Sequence, residues 1–209
     1  ACHIHKSIPV GGGMGGGSAD AAAALVALNE LWGNKADSST LHTIAASLGA
    51  DVPFALVGGS ALGRGNGSDL TPVPSGEFSW VLLPSDHHLS TPEVYGHFDA
   101  LTGGDVEALP TELPADLLQA LRVGDAQTLG EFMENDLGSM AADLYPRLVT
   151  GLMDSQMGGA LGAIVSGSGP TLVALARDAD HQEELVAALQ EKGHQPLPTR
   201  STPRGAHLV

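Results

Sequence analysis

Cysteine is nearly absent. Cys2 stands alone, so no internal disulfide can form, and a reducing cytoplasm suits the chain. Aromatic side chains make up 4% of residues, too few to build a stacking platform for nucleic-acid bases. Positive charge is scarce as well. Nine Lys and Arg face 24 Asp and Glu, for a net charge of −15, which argues against nucleic acid or an anionic membrane as a partner. It does not argue against a bound nucleotide, because backbone N–H groups can supply local positive potential. No apolar run reaches the length of a membrane span, and no signal-peptide pattern is visible. The nine histidines include one adjacent pair, His87-His88, read as exposed loop. No Cys/His spacing fits a zinc site, so no resident metal is expected.

What the chain has in quantity is glycine, 28 residues, within a composition that is 43% hydrophobic. At 209 residues it can bury a real core, as one large domain or two modest ones. Six glycines crowd one stretch, Pro9, Val10, Gly11, Gly12, Gly13, Met14, Gly15, Gly16, Gly17, Ser18 and Ala19, and a helical pattern follows at once. Glycine lacks a Cβ, so it accepts positive φ and lets a ligand approach the backbone. Bare N–H groups running into a helix N-terminus form a ready anion site. The natural anion is phosphate, and the loop reads as a cradle for a nucleoside triphosphate. Gly11-x-Gly13-x-x-Gly16 also satisfies the dinucleotide fingerprint. That fold needs a strand ending in an acid about 20 residues on, and Glu30 and Asp37 lie in or just after a helix. No Lys follows the glycines, so the loop is not a Walker A motif.

The period-2 pattern of His3, His5 and Ser7 against Ile4 and Ile8 predicts a strand entering the loop. A chain that opens one strand before its main motif leads us to expect an N-terminal piece missing from it. Ser18–Trp32 is predicted as a helix capped by Ser18, and Ser38 or Ser39 caps a second, with Leu41, Ile44, Ala45 and Leu48 at helical spacing. Asp51 precedes a short helix opened by Pro53. It is either a capping carboxylate or a catalytic base, and spacing leaves both open. A strand follows Gly58-Gly59, and residues 65–77 read as a linker. Beyond it, strands are predicted at Phe78–Leu83, Ala160–Val165, Thr171–Ala176 and 206–209. Helices are predicted from Thr91 as cap, near 115–122, 125–134, 145–157 and 179–192, with a loop over 102–114. This is an α+β pattern, divided into domains at 1–75 and 76–209. Ser166, Gly167, Ser168 and Gly169 form either a tight turn or a second anion contact facing the first loop. Lys6 reads as a solvated surface residue.

Three pieces occur in order: Pro9-Val-Gly-Gly-Gly-Met-Gly-Gly-Gly-Ser18-Ala-Asp, Leu48-Gly-Ala-Asp51-Val-Pro53-Phe and Ser166-Gly-Ser-Gly-Pro-Thr171. Together they resemble the GHMP kinase superfamily, from about Ile4 to the C-terminus. The extra glycines and the Gly-Ala-Asp-Val-Pro form are most similar to the branch that phosphorylates 4-diphosphocytidyl-2-C-methyl-D-erythritol. The other branches act on alcohols of the homoserine and mevalonate type. The resemblance implies an N-terminal domain like ribosomal protein S5 domain 2, here partial, and a ferredoxin-like C-terminal domain. It implies transfer of the ATP γ-phosphoryl group to the 2-hydroxyl of the methylerythritol unit, in non-mevalonate isoprenoid synthesis. Pro9 to Ala19 would hold the ATP phosphates and Asp51 would be the catalytic base. Thr91 and Tyr95 would line the substrate pocket, and Ser166 to Gly169 would be the third motif. Mg²⁺ would ride mainly on the triphosphate, because Gly16 and Gly17 stand where relatives place a metal-binding Ser. The family's opening strand carries a Pro-x-Lys-x-Asn pattern that residues 1–8 do not supply. A chain without that lysine would be less active, or a silent nucleotide-binding module.

Overall fold

The computed structural model describes residues 2–103 and 112–209. The chain divides into two compact units. One comprises residues 1–10, 15–75 and 202–209, and the other 11–14 and 76–201. Neither unit is a single continuous stretch of the sequence.

The first unit holds α1 (Gly16–Leu31), α2 (Ser38–Leu48), α3 (Val52–Val57) and an antiparallel pair, β1 (Ser60–Arg64) and β2 (Asp69–Val73). Its core is built from small residues. Ala22, Ala45 and Val52 are buried, with Ala21, Leu25, Ala55, Leu56 and Ala206 packed around them. Alanine at these positions lets helix backbones approach closely. The chain end joins this unit: Gly205 N–H donates to the Val57 carbonyl at 3.2 Å, and Ala206 N–H to the Ala55 carbonyl at 2.9 Å. Gly58 makes that return possible, because a Cβ there would lie 2.1 Å from the Gly205 nitrogen.

The second unit runs β3 (Ser79–Leu83), α4 (Thr91–Thr102), α5 (Ala115–Val123), α6 (Ala126–Glu131), α7 (Leu137–Leu144), α8 (Arg147–Met157), β4 (Gly162–Val165), β5 (Leu172–Ala176), α9 (Ala179–Glu191) and β6 (Leu197–Arg200). The strands form one antiparallel sheet in the order β4-β5-β3-β6. This is a β-α-β-β-α-β, ferredoxin-like arrangement with extra helices in the first crossover. One sheet face carries Val81, Leu83, Leu172, Ala174 and Ala176, and it buries them against Leu148 of α8 and Leu185 and Leu189 of α9. Gln182 of α9 ties β3 to β6 by donating to the paired carbonyls of Trp80 and Thr199, at 2.6 and 2.7 Å.

The α+β class expected from the sequence is the one observed, and several local expectations need correction. Residues 3–8 form no strand. Among the described residues no strand pairs with them, and alternation without a partner does not make a strand. Helix α1 starts before Ser18, because Gly15 in the left-handed region (φ 63°) turns the chain and serves as N-cap. Asp37, not Ser38 or Ser39, caps α2, accepting from Thr40 N–H at 2.8 Å. Ser90 rather than Thr91 is the cap position of α4. The supposed linker contains β2, which folds back on β1. The helix expected over 125–134 is α6 alone, capped by Asp125. Helix α7 was not foreseen, although Leu137, Met140, Ala141 and Leu144 have helical spacing. The last strand is β6, not 206–209. Pro198 removes a donor from β6, which an edge strand tolerates. The loop expected over 102–114 lies largely outside the described residues.

Candidate phosphate-binding site

In the second unit the tip of the glycine loop is held from several sides. Gly11 and Gly13 both have φ of 73°, a conformation costly for other residues. Gly13 is also hemmed in. A Cβ there would lie 2.5 Å from the Ser166 carbonyl oxygen and 2.6 Å from that of Gly169. The Ser166 hydroxyl donates to the Gly13 carbonyl at 2.9 Å. A Cβ on Gly11 would lie 2.4 Å from Nδ1 of His88. The structure therefore brings the third motif against the first loop. Ser166–Gly169 is at once a tight turn, with Gly169 N–H donating to the Ser166 carbonyl at 2.8 Å, and a support for the loop.

In the first unit the rest of the loop opens α1. The first helical hydrogen bond recorded runs from Ala19 N–H to the Gly15 carbonyl at 2.9 Å. The N–H groups of Gly16, Gly17 and Ser18 precede it, and no side chain caps them. Gly16 is packed, since a Cβ there would meet Ile8 at 2.9 Å. Gly17 is different. Its φ is not positive, and an added Cβ would meet nothing within 4 Å among the described residues. Neither conformation nor packing among the described residues calls for glycine there. Lys6 is not simply solvated, because its ammonium pairs with Asp20. That contact takes up the charge of the one carboxylate on the opening turns of α1.

Asp51 stands at the N-cap position of α3 but makes no side-chain capping bond. Its exposed carboxylate has no hydrogen-bond or ion-pair partner among the described residues, so the capping role is not the one it plays here. Thr91 and Tyr95 lie one turn apart on α4, with Tyr95 52% exposed. Thr91 joins the third motif directly, its hydroxyl 2.8 Å from that of Ser168. Two contributors escaped the sequence reading. His88 lies against Gly11, while His87 stacks on Tyr145 with ring centroids 4.3 Å apart. Both are exposed, as the sequence suggested, but both make contacts. Asn135 binds the third motif, and its signal was an Asn-Asp pair just ahead of the unforeseen α7. No group of three or more His, Cys, Asp or Glu side chains able to hold a metal occurs among the described residues. No helix among them is long and apolar enough to cross a membrane.

The comparisons with known proteins define the class, a family of small-molecule kinases. The family model of the GHMP kinases N-terminal domain matches residues 1–59, and that of the GHMP kinases C-terminal domain matches residues 117–195. The chain belongs to the GHMP kinases. It is 51% identical to the 4-diphosphocytidyl-2-C-methyl-D-erythritol kinase of Nocardioides sp. (strain ATCC BAA-499 / JS614), over 99% of this chain and 70% of the relative. Its fold is similar to a crystal structure of 4-(cytidine 5'-diphospho)-2C-methyl-D-erythritol kinase, with TM-score 0.74 and 31% identity, covering 95% of this chain and 69% of the other. A homoserine kinase from Cytophaga hutchinsonii shares the fold at TM-score 0.71 and 21% identity, covering 96% of this chain and 69% of the other. The chain spans between 62% and 70% of the length of the curated relatives it matches.

Proposed function

We propose that this chain takes part in ATP-dependent phosphorylation of the 2-hydroxyl of 4-diphosphocytidyl-2-C-methyl-D-erythritol. The observation that carries the reading is the glycine loop. Its tip is clamped at Gly13, and it leads into uncapped helix N–H groups beside an unobstructed Gly17. The substrate follows from the names of the relatives at 42–51% identity.

In this reading residues 1–75 supply the phosphate loop, Pro9 to Ala19, and the base Asp51. Residues 76–209 supply Thr91, Tyr95 and Ser166 to Gly169 for the acceptor substrate. Phosphoryl transfer asks little covalent chemistry of the protein; it needs positioning and charge stabilisation. The N–H groups at the start of α1 and its dipole bind phosphate oxygens. Asp51, free of a capping bond, orients the acceptor hydroxyl and takes its proton. Mg²⁺ would enter mainly on the triphosphate. The scarcity of cations fits a reaction without nucleic acid or membrane as a partner, and the single cysteine suits a reducing cytoplasm.

The test is ATP turnover by this chain. The cytidyl substrate, homoserine and mevalonate are offered in parallel. Turnover with the cytidyl substrate alone is expected. Asp51→Asn should lower kcat by about 10²–10⁴-fold while ATP still binds. Turnover of homoserine or mevalonate instead would move the chain to another branch of the family. Bound ATP without turnover of any acceptor would make it a silent nucleotide-binding module.

A further inference from the structure

Asn135 lies outside all three sequence motifs, between α6 and α7, yet both Nδ2 hydrogens and Oδ1 of its carboxamide are engaged. The Nδ2 group donates to the Val165 carbonyl at 2.8 Å and to the Gly167 carbonyl at 2.7 Å. Oδ1 accepts from Leu137 N–H at 3.0 Å. This sets the orientation of the amide, since a flip would turn its oxygen toward two carbonyl oxygens. The two carbonyls it holds flank Ser166, and Ser166 grips the Gly13 carbonyl at 2.9 Å. Gly167 also backs onto the loop, because a Cβ on it would lie 3.3 Å from the Gly13 oxygen. One side chain therefore holds both sides of the residue that fixes the loop tip.

We propose that Asn135 is a positioning residue that fixes the shape of the phosphate loop through the Ser166–Gly167 turn. The proposal rests on reading that loop as the ATP-phosphate cradle. It differs from a merely structural role, in which Asn135 would only start α7 through Leu137. The Gly13 carbonyl, turned toward Ser166, is kept away from the phosphate oxygens it would repel. Loss of the two Nδ2 bonds frees the turn, then Ser166, then Gly13.

The experiment uses Asn135→Ala, Ser166→Ala and the double variant, with the exposed Asp143→Ala as control. Amide hydrogen exchange of ligand-free protein is followed in the segment 9–17. Exchange should rise about tenfold at the buried Gly12 in either single variant, the scale of the hydrogen bond that holds the neighbouring Gly13 carbonyl. It should rise little further in the double variant, because both changes act through one contact. Exchange in α9 should not move. Faster exchange confined to residues 137–144 would overturn the proposal, as would an unchanged segment 9–17 in Ser166→Ala. Ser166→Ala leaves the start of α7 intact, so it decides the matter if Asn135→Ala fails to fold. Calorimetry with ATP should then show affinity about tenfold weaker in Asn135→Ala, with kcat at saturation changed less than about threefold. A looser loop with unchanged ATP affinity would also overturn it. Wild-type protein that binds no ATP would sink the kinase reading instead, and the exchange data would still decide the clamp.

Discussion

The two units reach stability by different means. In the second, large side chains disappear completely: Val81, Leu175, Leu185 and Leu189 are all at 0% exposure between sheet and helices. In the first, the fully buried side chains among the described residues are Ala22, Ala45 and Pro53, none larger than proline, while Leu31 and Trp32 remain 75% and 61% exposed. Burial of a leucine contributes about 1.5–3 kcal/mol and of an alanine far less. The second unit thus carries its own hydrophobic core. The first relies on close helix contact, on backbone bonds to the chain end and on glycine geometry.

Three substitutions test that contrast. Leu185→Ala should cost about 2–5 kcal/mol in denaturant unfolding followed by circular dichroism, through lost burial and a cavity. The same truncation at exposed Leu31 should stay within about 0.5 kcal/mol, and a comparable loss there would erase the contrast. Gly58→Ala should cost about 1–3 kcal/mol, because φ of 73° strains any other residue and a Cβ would strike the Gly205 backbone. Limited proteolysis should show residues 202–209 released first. A modest, pH-dependent effect is expected at Asp154 in the second unit. Hydrogen bonds from His194, at 2.8 Å, and from Lys192, at 3.1 Å, hold its carboxyl below the usual carboxylate range. A lowered folded-state value means stabilisation that is present above the unfolded-state value and lost as pH falls through the folded one. Wild type and Asp154→Asn should therefore differ modestly near neutral pH and converge in acid. A difference that persists in acid would assign the effect to packing.

The sequence was legible wherever a residue type answers a local demand. The glycines of residues 11–17, the helix behind them, the stop at Gly49, the turn at Gly58-Gly59 and the strand ending at Leu83 all follow from backbone chemistry. Caps slipped by a residue or more because Asp37, Ser38 and Ser39 are all good capping residues and only the fold selects one. Strand β6 was missed because all four of its residues are exposed and one is Pro198, so neither alternation nor composition marks it. The failed strand at 206–209 is apolar for another reason: Ala206 packs on the α1–α3 core as irregular chain. Asn135 and His88 were invisible as site residues because their roles depend on contacts 32 and 77 positions away, with Gly167 and Gly11.

The exchange of segments between units also governs how such kinases can be recombined. The chain passes from one unit to the other after residues 10, 14, 75 and 201. A chimaera joined once, between 75 and 76, would give Ser166 of one parent the Gly13 of the other, and it would give α3 a foreign chain end. Conserving both sets of contacts requires four joints, with residues 11–14 travelling with 76–201 and residues 202–209 travelling with 15–75. Four residues of phosphate loop would thereby be inherited as part of the unit that follows much later in the gene.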